Sequence, residues 1–108
     1  MAKLAHPFEI FDIGDGEAVQ IRVVRYEEGE ADIHPGYGTV IKTVPVFRLY
    51  LEHPWVEGRL PYMDITSGRL QEQLRPILAN ISPGGKLIRI TKRGVAPKAL
   101  FTLEAIPE

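Results

Sequence analysis

A single helical stripe stands in a chain whose other apolar residues alternate, and that contrast limits the fold to a mostly β domain with one helix. Leu70, Leu74, Ile77, Leu78 and Ile81 in SGRLQEQLRPILANI fall at helical spacing, one apolar stripe about three turns long. Ser67 precedes it as the expected N-cap, its hydroxyl able to accept from an otherwise unpaired N–H of the first turn. Pro76 lies inside the stripe and predicts a kink or a loosened last turn. Ser82-Pro83-Gly84-Gly85 then stops the helix.

Around the helix the period is two. In Ala18 to Tyr26 the residues Val19, Ile21 and Val23 alternate with Gln20 and Arg22, then the pattern slips so that Val24 and Tyr26 continue it on the other face. A one-residue slip predicts a β-bulge, which bends a strand and curls a sheet. Glu27 to Gly38, acidic and interrupted by glycine and proline, reads as a long solvated loop. The second strand, Val40 to Glu52, puts Phe47, Leu49 and Leu51 toward the core and Lys42, Val44, Val46, Arg48 and Tyr50 on the opposite face. Pro45 cannot donate to a ladder, so an edge position or a bulge is expected there. A third strand spans Arg59 to Ile65, with Met63 and Ile65 inward and Tyr62 and Asp64 outward. The last quarter, Gly85 to Ile106, reads as a hairpin: Ile88 and Ile90 alternate with Arg89 and Thr91, KRGVAPK connects, and Phe101 and Leu103 share a face of the strand Ala99 to Ile106. Ahead of the first strand, FEIFDI (Phe8 to Ile13) and the turn Gly14-Asp15-Gly16 form an N-terminal extension or extra strand over residues 1–17, expected to be buried against the domain rather than left as an edge for self-association.

At 108 residues the chain suits one domain with its own core and is too short for two. A composition of 44% hydrophobic and 25% charged residues is that of an ordinary water-exposed globular domain. No apolar run approaches the roughly 20 residues of a membrane span, and acidic residues stand where a signal peptide needs an apolar core, so a cytoplasmic location without membrane association is expected. The absence of cysteine removes disulfides, thiolate chemistry and cysteine-ligated zinc. Charge is unevenly placed within a net value of −1: residues 1–32 carry eight acids against three bases, and residues 73–108 carry two acids against six bases. Between Glu72 and Glu104 there is no acid, while Arg75, Lys86, Arg89, Lys92, Arg93 and Lys98 all fall there. A basic hairpin on a nearly neutral protein points to a polyanion partner.

The order strand, strand, strand, helix, strand, strand is that of the OB-fold, a five-stranded Greek-key barrel with its helix between strands three and four. YMDITSGRLQEQL followed by GKLIRITKRG resembles the small OB domains that bind single-stranded DNA in phage and archaeal replication. The resemblance spans Val19 to Ile106 and implies largely sequence-independent binding of single-stranded DNA, in a groove between the first loop and the hairpin loop.

Such a groove needs aromatic platforms that stack bases and cations that follow phosphates. The expected stacking residues are Tyr50 and Tyr62 on the outward face, with Trp55 and Tyr37 from flanking loops. The expected phosphate contacts are Lys42 and Arg48 from strand two, and Arg89, Lys92, Arg93 and Lys98 from the hairpin. Each has a plainer reading: Trp55 folded back over the core's edge, Tyr62 covering the barrel end, Lys92 and Arg93 solubilising a turn. The acids of Glu27 to Asp32 are expected to be solvated; the other readings are that they mimic phosphate in an empty groove or contact a basic partner. RNA would use the same residues. The alternative function is a protein-interaction OB module, a subunit of a replication or virion assembly, docking through Val44 and Val46 or through FEIFDI as a homo-oligomer or on a replication partner.

No enzyme is expected. His6, His34 and His53 each precede proline and show no metal-binding spacing, Asp64 has no second carboxylate placed beside it, and neither a GxSxG nor a P-loop pattern occurs. No metal or cofactor is expected.

Overall fold

Alternation and helical stripe fold here into five antiparallel strands and one helix, in a computed structural model that describes residues 2–33, 41–95 and 98–107. The elements are β1 (Ala18–Ile33), β2 (Lys42–Leu51), β3 (Tyr62–Ile65), α1 (Gly68–Leu78), β4 (Lys86–Arg93) and β5 (Leu100–Ala105). They form one sheet in the order β3-β2-β1-β4-β5. Among the described residues no ladder joins β3 to β5, so the sheet is open along that seam.

β1 organises the sheet because it changes partner halfway. Ala18 to Val23 pair with β4, and from Val23 onward the strand pairs with β2. The register shifts between Val23 and Arg25, so the bulge falls at Val24, where the alternation slips. Val23 is buried on one side of it and Val24 exposed on the other. Directly beneath the bend, Gly85 lets β4 approach: a Cβ there would stand 2.7 Å from the carbonyl oxygen of Val23, and its φ of 84° is a left-handed conformation that glycine adopts without strain.

The expected acidic loop is a correction. β1 continues to Ile33, and Glu27 to Ile33 pair with Lys42 to Arg48. The acids are usable in a strand because partners outside it hold them: Glu28 accepts from Arg75 of α1 (3.1 Å) and Asp32 from Thr43 (2.7 Å). β3 is shorter than its alternation suggested, beginning at Tyr62 rather than Arg59. Pro45 sits where β2 is an edge, since pairing with β3 ends at Phe47↔Ile65.

The inner face of the sheet makes the main core. Val23, Phe47, Leu49, Met63, Ile65, Ile88 and Ile90 pack there against Leu70, Leu74 and Leu78 of α1. The helix starts as expected: Leu70 N–H donates to Ser67 Oγ at 3.3 Å. Gln71 is buried on the helix's inward side, and its amide donates to the carbonyls of Pro45 (3.0 Å) and Ile65 (2.9 Å), which removes the cost of burying it. Pro76 lies within the last turn, and the helix ends two residues later, at Leu78.

A second, smaller cluster lies on the outer face: Leu4, Ala31 and Val46, with Phe8 and Val44 against them. The N-terminal segment therefore crosses the sheet. Leu4 N–H donates to Glu30 O (3.0 Å) and Glu30 N–H to Ala2 O (3.1 Å), at the edge of β1 that β4 leaves free. Six residues later the chain is at the opposite edge, where Asp64 N–H donates to Glu9 O (2.7 Å) and Phe11 N–H to Asp64 O (2.9 Å). Phe11 then enters the main core beside Phe101 of β5, with ring centroids 5.7 Å apart. Residues 9–11 thus stand in the seam between β3 and β5, as an isolated parallel bridge on β3 rather than a full strand.

Candidate nucleic-acid interface

The outer face of β1, β2 and β3 presents Arg25, Glu27, Arg48, Tyr50, Tyr62 and Asp64, placed side by side by the cross-strand pairs Arg25↔Tyr50, Glu27↔Arg48, Arg48↔Asp64 and Tyr50↔Tyr62. Parity along β2 put Arg48 and Tyr50 on this face, and it is the face they occupy. What parity did not carry is the cover.

Arg48 was expected to be free for a phosphate; it is 3% exposed. Its Nε donates to Asp64 Oδ1 at 2.7 Å and its Nη2 to Asp64 Oδ2 at 3.1 Å, a two-pronged pair. Asp64 is 0% exposed and accepts a further bond from Glu9 N–H at 2.8 Å. Burial alone would lower the Arg48 guanidinium's hold on its proton, but the hydrogen bond and charge of Asp64 outweigh it and push the pKa upward. The pair is a structural unit. A charge buried this deeply is tolerable only because its donors are matched to acceptors, and removing either partner strands the other.

Tyr50 and Tyr62 form the aromatic patch, rings 5.9 Å apart and tilted by 57°. Both are half-buried. Arg25, exposed, lies with its guanidinium carbon 3.6 Å from the centre of the Tyr50 ring, and Arg48 lies 4.4 Å from that of Tyr62. Tyr50 Oη donates to Glu27 (2.9 Å) and Tyr62 Oη to Pro7 O. Burial raises the Tyr62 phenol above its ordinary pKa; the Arg48 charge opposes this and Asp64 adds to it.

The remaining expected contacts are dispersed. Lys92 is 8% exposed, and its ammonium donates to Asp12 at 2.8 Å, so it is not a loop cation. The reason is parity: β4 runs on to Arg93, which leaves Lys92 on the inward side with Ile88 and Ile90. Trp55 follows its plainer reading rather than the stacking one: it packs edge-on against Phe11 at 5.3 Å at the core's edge, and its indole nitrogen is buried without a partner among the described residues. Arg89 is exposed, though it donates to Glu104 directly opposite (3.4 Å) and to Gln20 (3.1 Å). Lys42, Arg93 and Lys98 are exposed and make no ion pair among the described residues. Tyr37 lies outside the described residues. Val46 and Phe8, expected as parts of a docking surface, are turned toward each other across the outer face.

Arg25 was not among the expected contacts. The slip as read put Val24 and Tyr26 on one face; in the structure the bulge takes up Val24 alone, so Tyr26 pairs with Leu49 on the core side and Arg25 with Tyr50 on the outer face. Arg69, exposed near the start of α1, was also missed; it borders a shallow hollow with Lys98, Ala99 and Leu100. Among the described residues no group of three histidine, aspartate or glutamate side chains could hold a metal ion, and no helix is long and apolar enough to cross a membrane. No family model, curated protein or solved structure matches the chain.

Proposed function

We propose that this chain binds single-stranded nucleic acid, DNA before RNA and with little sequence preference, on the outer face of β1, β2 and β3, as an OB-type domain. The observation that carries the reading is the Tyr50–Tyr62 pair with Arg25 over it. It is an aromatic platform with a cation in place, the combination that base stacking and phosphate contact require. The fold supports it: opening an OB barrel between its third and fifth strands yields the order β3-β2-β1-β4-β5 with the helix after β3, and OB barrels are often partly open and bind oligonucleotides on the face of strands two and three. The contacts we assign are Tyr50 and Tyr62 for stacking and Arg25, Lys42, Arg93 and Lys98 for phosphates. Arg48 and Lys92 are left out, since Asp64 and Asp12 already hold them.

Titration of a fluorescent oligo-dT tests the reading by anisotropy. Affinity should fall as salt rises, with a log–log slope of about −0.7 per phosphate neutralised, or roughly −3 if all four cations engage. Tyr50→Ala should weaken binding by about 1–3 kcal/mol, the worth of one stacked base, and Arg93→Glu with Lys98→Glu should flatten the salt slope. The absence of binding to oligo-dT or oligo-U at low salt would remove the proposal. A preference for oligo-U over oligo-dT would shift it to RNA. The second reading, a protein-interaction module, is favoured by the outer edge of β5, which ends the sheet with Leu100 exposed; it expects oligomers in sedimentation and indifference to both oligonucleotides.

A further inference from the structure

The surface proposed for nucleic acid already has an occupant. Residues 2–12 lie across it in two parts that are held differently. Glu9 to Asp12 are anchored: Glu9 and Phe11 bond to the backbone of Asp64, Phe11 is buried in the main core, and Asp12 binds the buried Lys92. Ala2 to Phe8 are held by exchangeable contacts. These are the two backbone bonds to Glu30, the exposed ion pair of Lys3 with Asp32, the buried Leu4 and half-buried Phe8 in the small outer cluster, and the Pro7 carbonyl accepting from Tyr62 Oη and, at 3.5 Å, from Arg48 Nη2.

The sheet is shaped for this segment. A Cβ at Gly29 would stand 2.7 Å from Leu4 Cγ and 2.8 Å from Ala2 O, so only glycine at that position lets the segment lie flat on β1. Yet a donor it uses suits another acceptor equally well. Tyr62 Oη donates to the Pro7 carbonyl, beside an Arg48 Nη2 that Asp64 already holds, and a phosphate or base oxygen would accept from Tyr62 Oη with equal or greater strength. Phe8 sits with its ring centre 5.5 Å from the Arg48 guanidinium, where a base could stack instead.

We propose that Ala2 to Phe8 form a displaceable strap: the strap and single-stranded nucleic acid compete for the outer face of β2 and β3, and binding lifts the strap while Glu9 to Asp12 stay anchored. This rests on the proposed function. A strap open in about one molecule in ten weakens the apparent affinity about tenfold relative to the uncovered face.

Lys3 and Glu30 are bridge partners between strap and β1, and the chain has no cysteine, so Lys3→Cys with Glu30→Cys provides one reversible lock. Anisotropy with fluorescent oligo-dT is compared for the oxidised and reduced forms of that variant, for the wild-type chain and for Leu4→Asp, which loosens the strap without a crosslink. The expected result is at least tenfold weaker binding when oxidised, recovery on reduction, and tighter binding than wild type for Leu4→Asp. Equal or tighter binding in the oxidised form, with wild type binding normally, would overturn the strap and leave the proposed function standing. Unchanged or weaker binding by Leu4→Asp would do the same if the crosslinked form fails to fold. No binding by any form at low salt would overturn both.

Discussion

The two faces of β2 are built from the same ten residues and held in different ways. Inward, Phe47, Leu49 and Leu51 meet α1 and β4 through contacts that are almost wholly apolar. Outward, Val46 and Arg48 meet a crossing segment through one small apolar cluster and a bond to the Pro7 carbonyl, while Arg48 and Tyr50 are held within the sheet by the ion pair with Asp64 and the hydrogen bond to Glu27. Apolar burial is non-directional and grows with the area removed from water, which is far larger on the inner face. Directional polar contacts can be handed to a competitor of matching chemistry. The inner face therefore serves stability, and the outer face is the one proposed to exchange its cover for a ligand.

The comparison breaks first at Arg48. Arg48→Met should cost about 3–5 kcal/mol in urea unfolding, because it leaves the Asp64 carboxylate buried and unpaired. Adding Asp64→Leu should restore most of that loss; if the double variant is as unstable as the single one, the pair's matched burial is not what holds this position. Next come two leucines on opposite faces. Leu49→Ala should cost about 2–5 kcal/mol, whereas Leu4→Ala, where the strap can settle into the space, should cost under about 2 kcal/mol. Equal costs would mean that the strap is as integral as the core. The smallest effect is Tyr62. Its raised pKa means the folded chain holds the phenolic proton more tightly than the unfolded one, so the associated stability is intact below the ordinary tyrosine value of 10.0 and is lost as pH rises through the folded value. The stability difference between wild type and Tyr62→Phe should shrink across that alkaline range, and a difference independent of pH would mean that burial of the Tyr62 hydroxyl contributes nothing to it.

Much of the fold was legible in the residues. The stripe from Leu70 to Leu78 specified the helix, Ser67 its start, and the slip at Val24 the bulge that lets β1 serve two partners. Glu27 to Ile33 were illegible as strand because their acids and Gly29 are poor strand formers in isolation; their partners Arg75, Lys3 and Leu4 come from remote parts of the chain. The candidate site was legible as a face and illegible as a surface. Arg48 and Tyr50 could be assigned to one side of β2, but nothing local shows that Asp64 and Pro7 consume the donors of Arg48. Lys92 was misplaced for a simpler reason: ending β4 early put it in the loop, whereas continuing the alternation one pair further turns it inward.

What the sequence determined by itself is which side of each strand a residue takes, because side-chain direction follows from backbone periodicity and needs no neighbour. Hence the helix, the inner core and the grouping of Arg48, Tyr50 and Tyr62 on one face. Only the tertiary structure decided how much of that face meets solvent. Exposure depends on what crosses above, and residues 2–12 reach it through contacts spanning from 26 residues (Leu4 to Glu30) to 80 (Asp12 to Lys92), separations at which no local pattern carries information. The open seam between β3 and β5 was decided in the same way, by the N-terminal segment lying there.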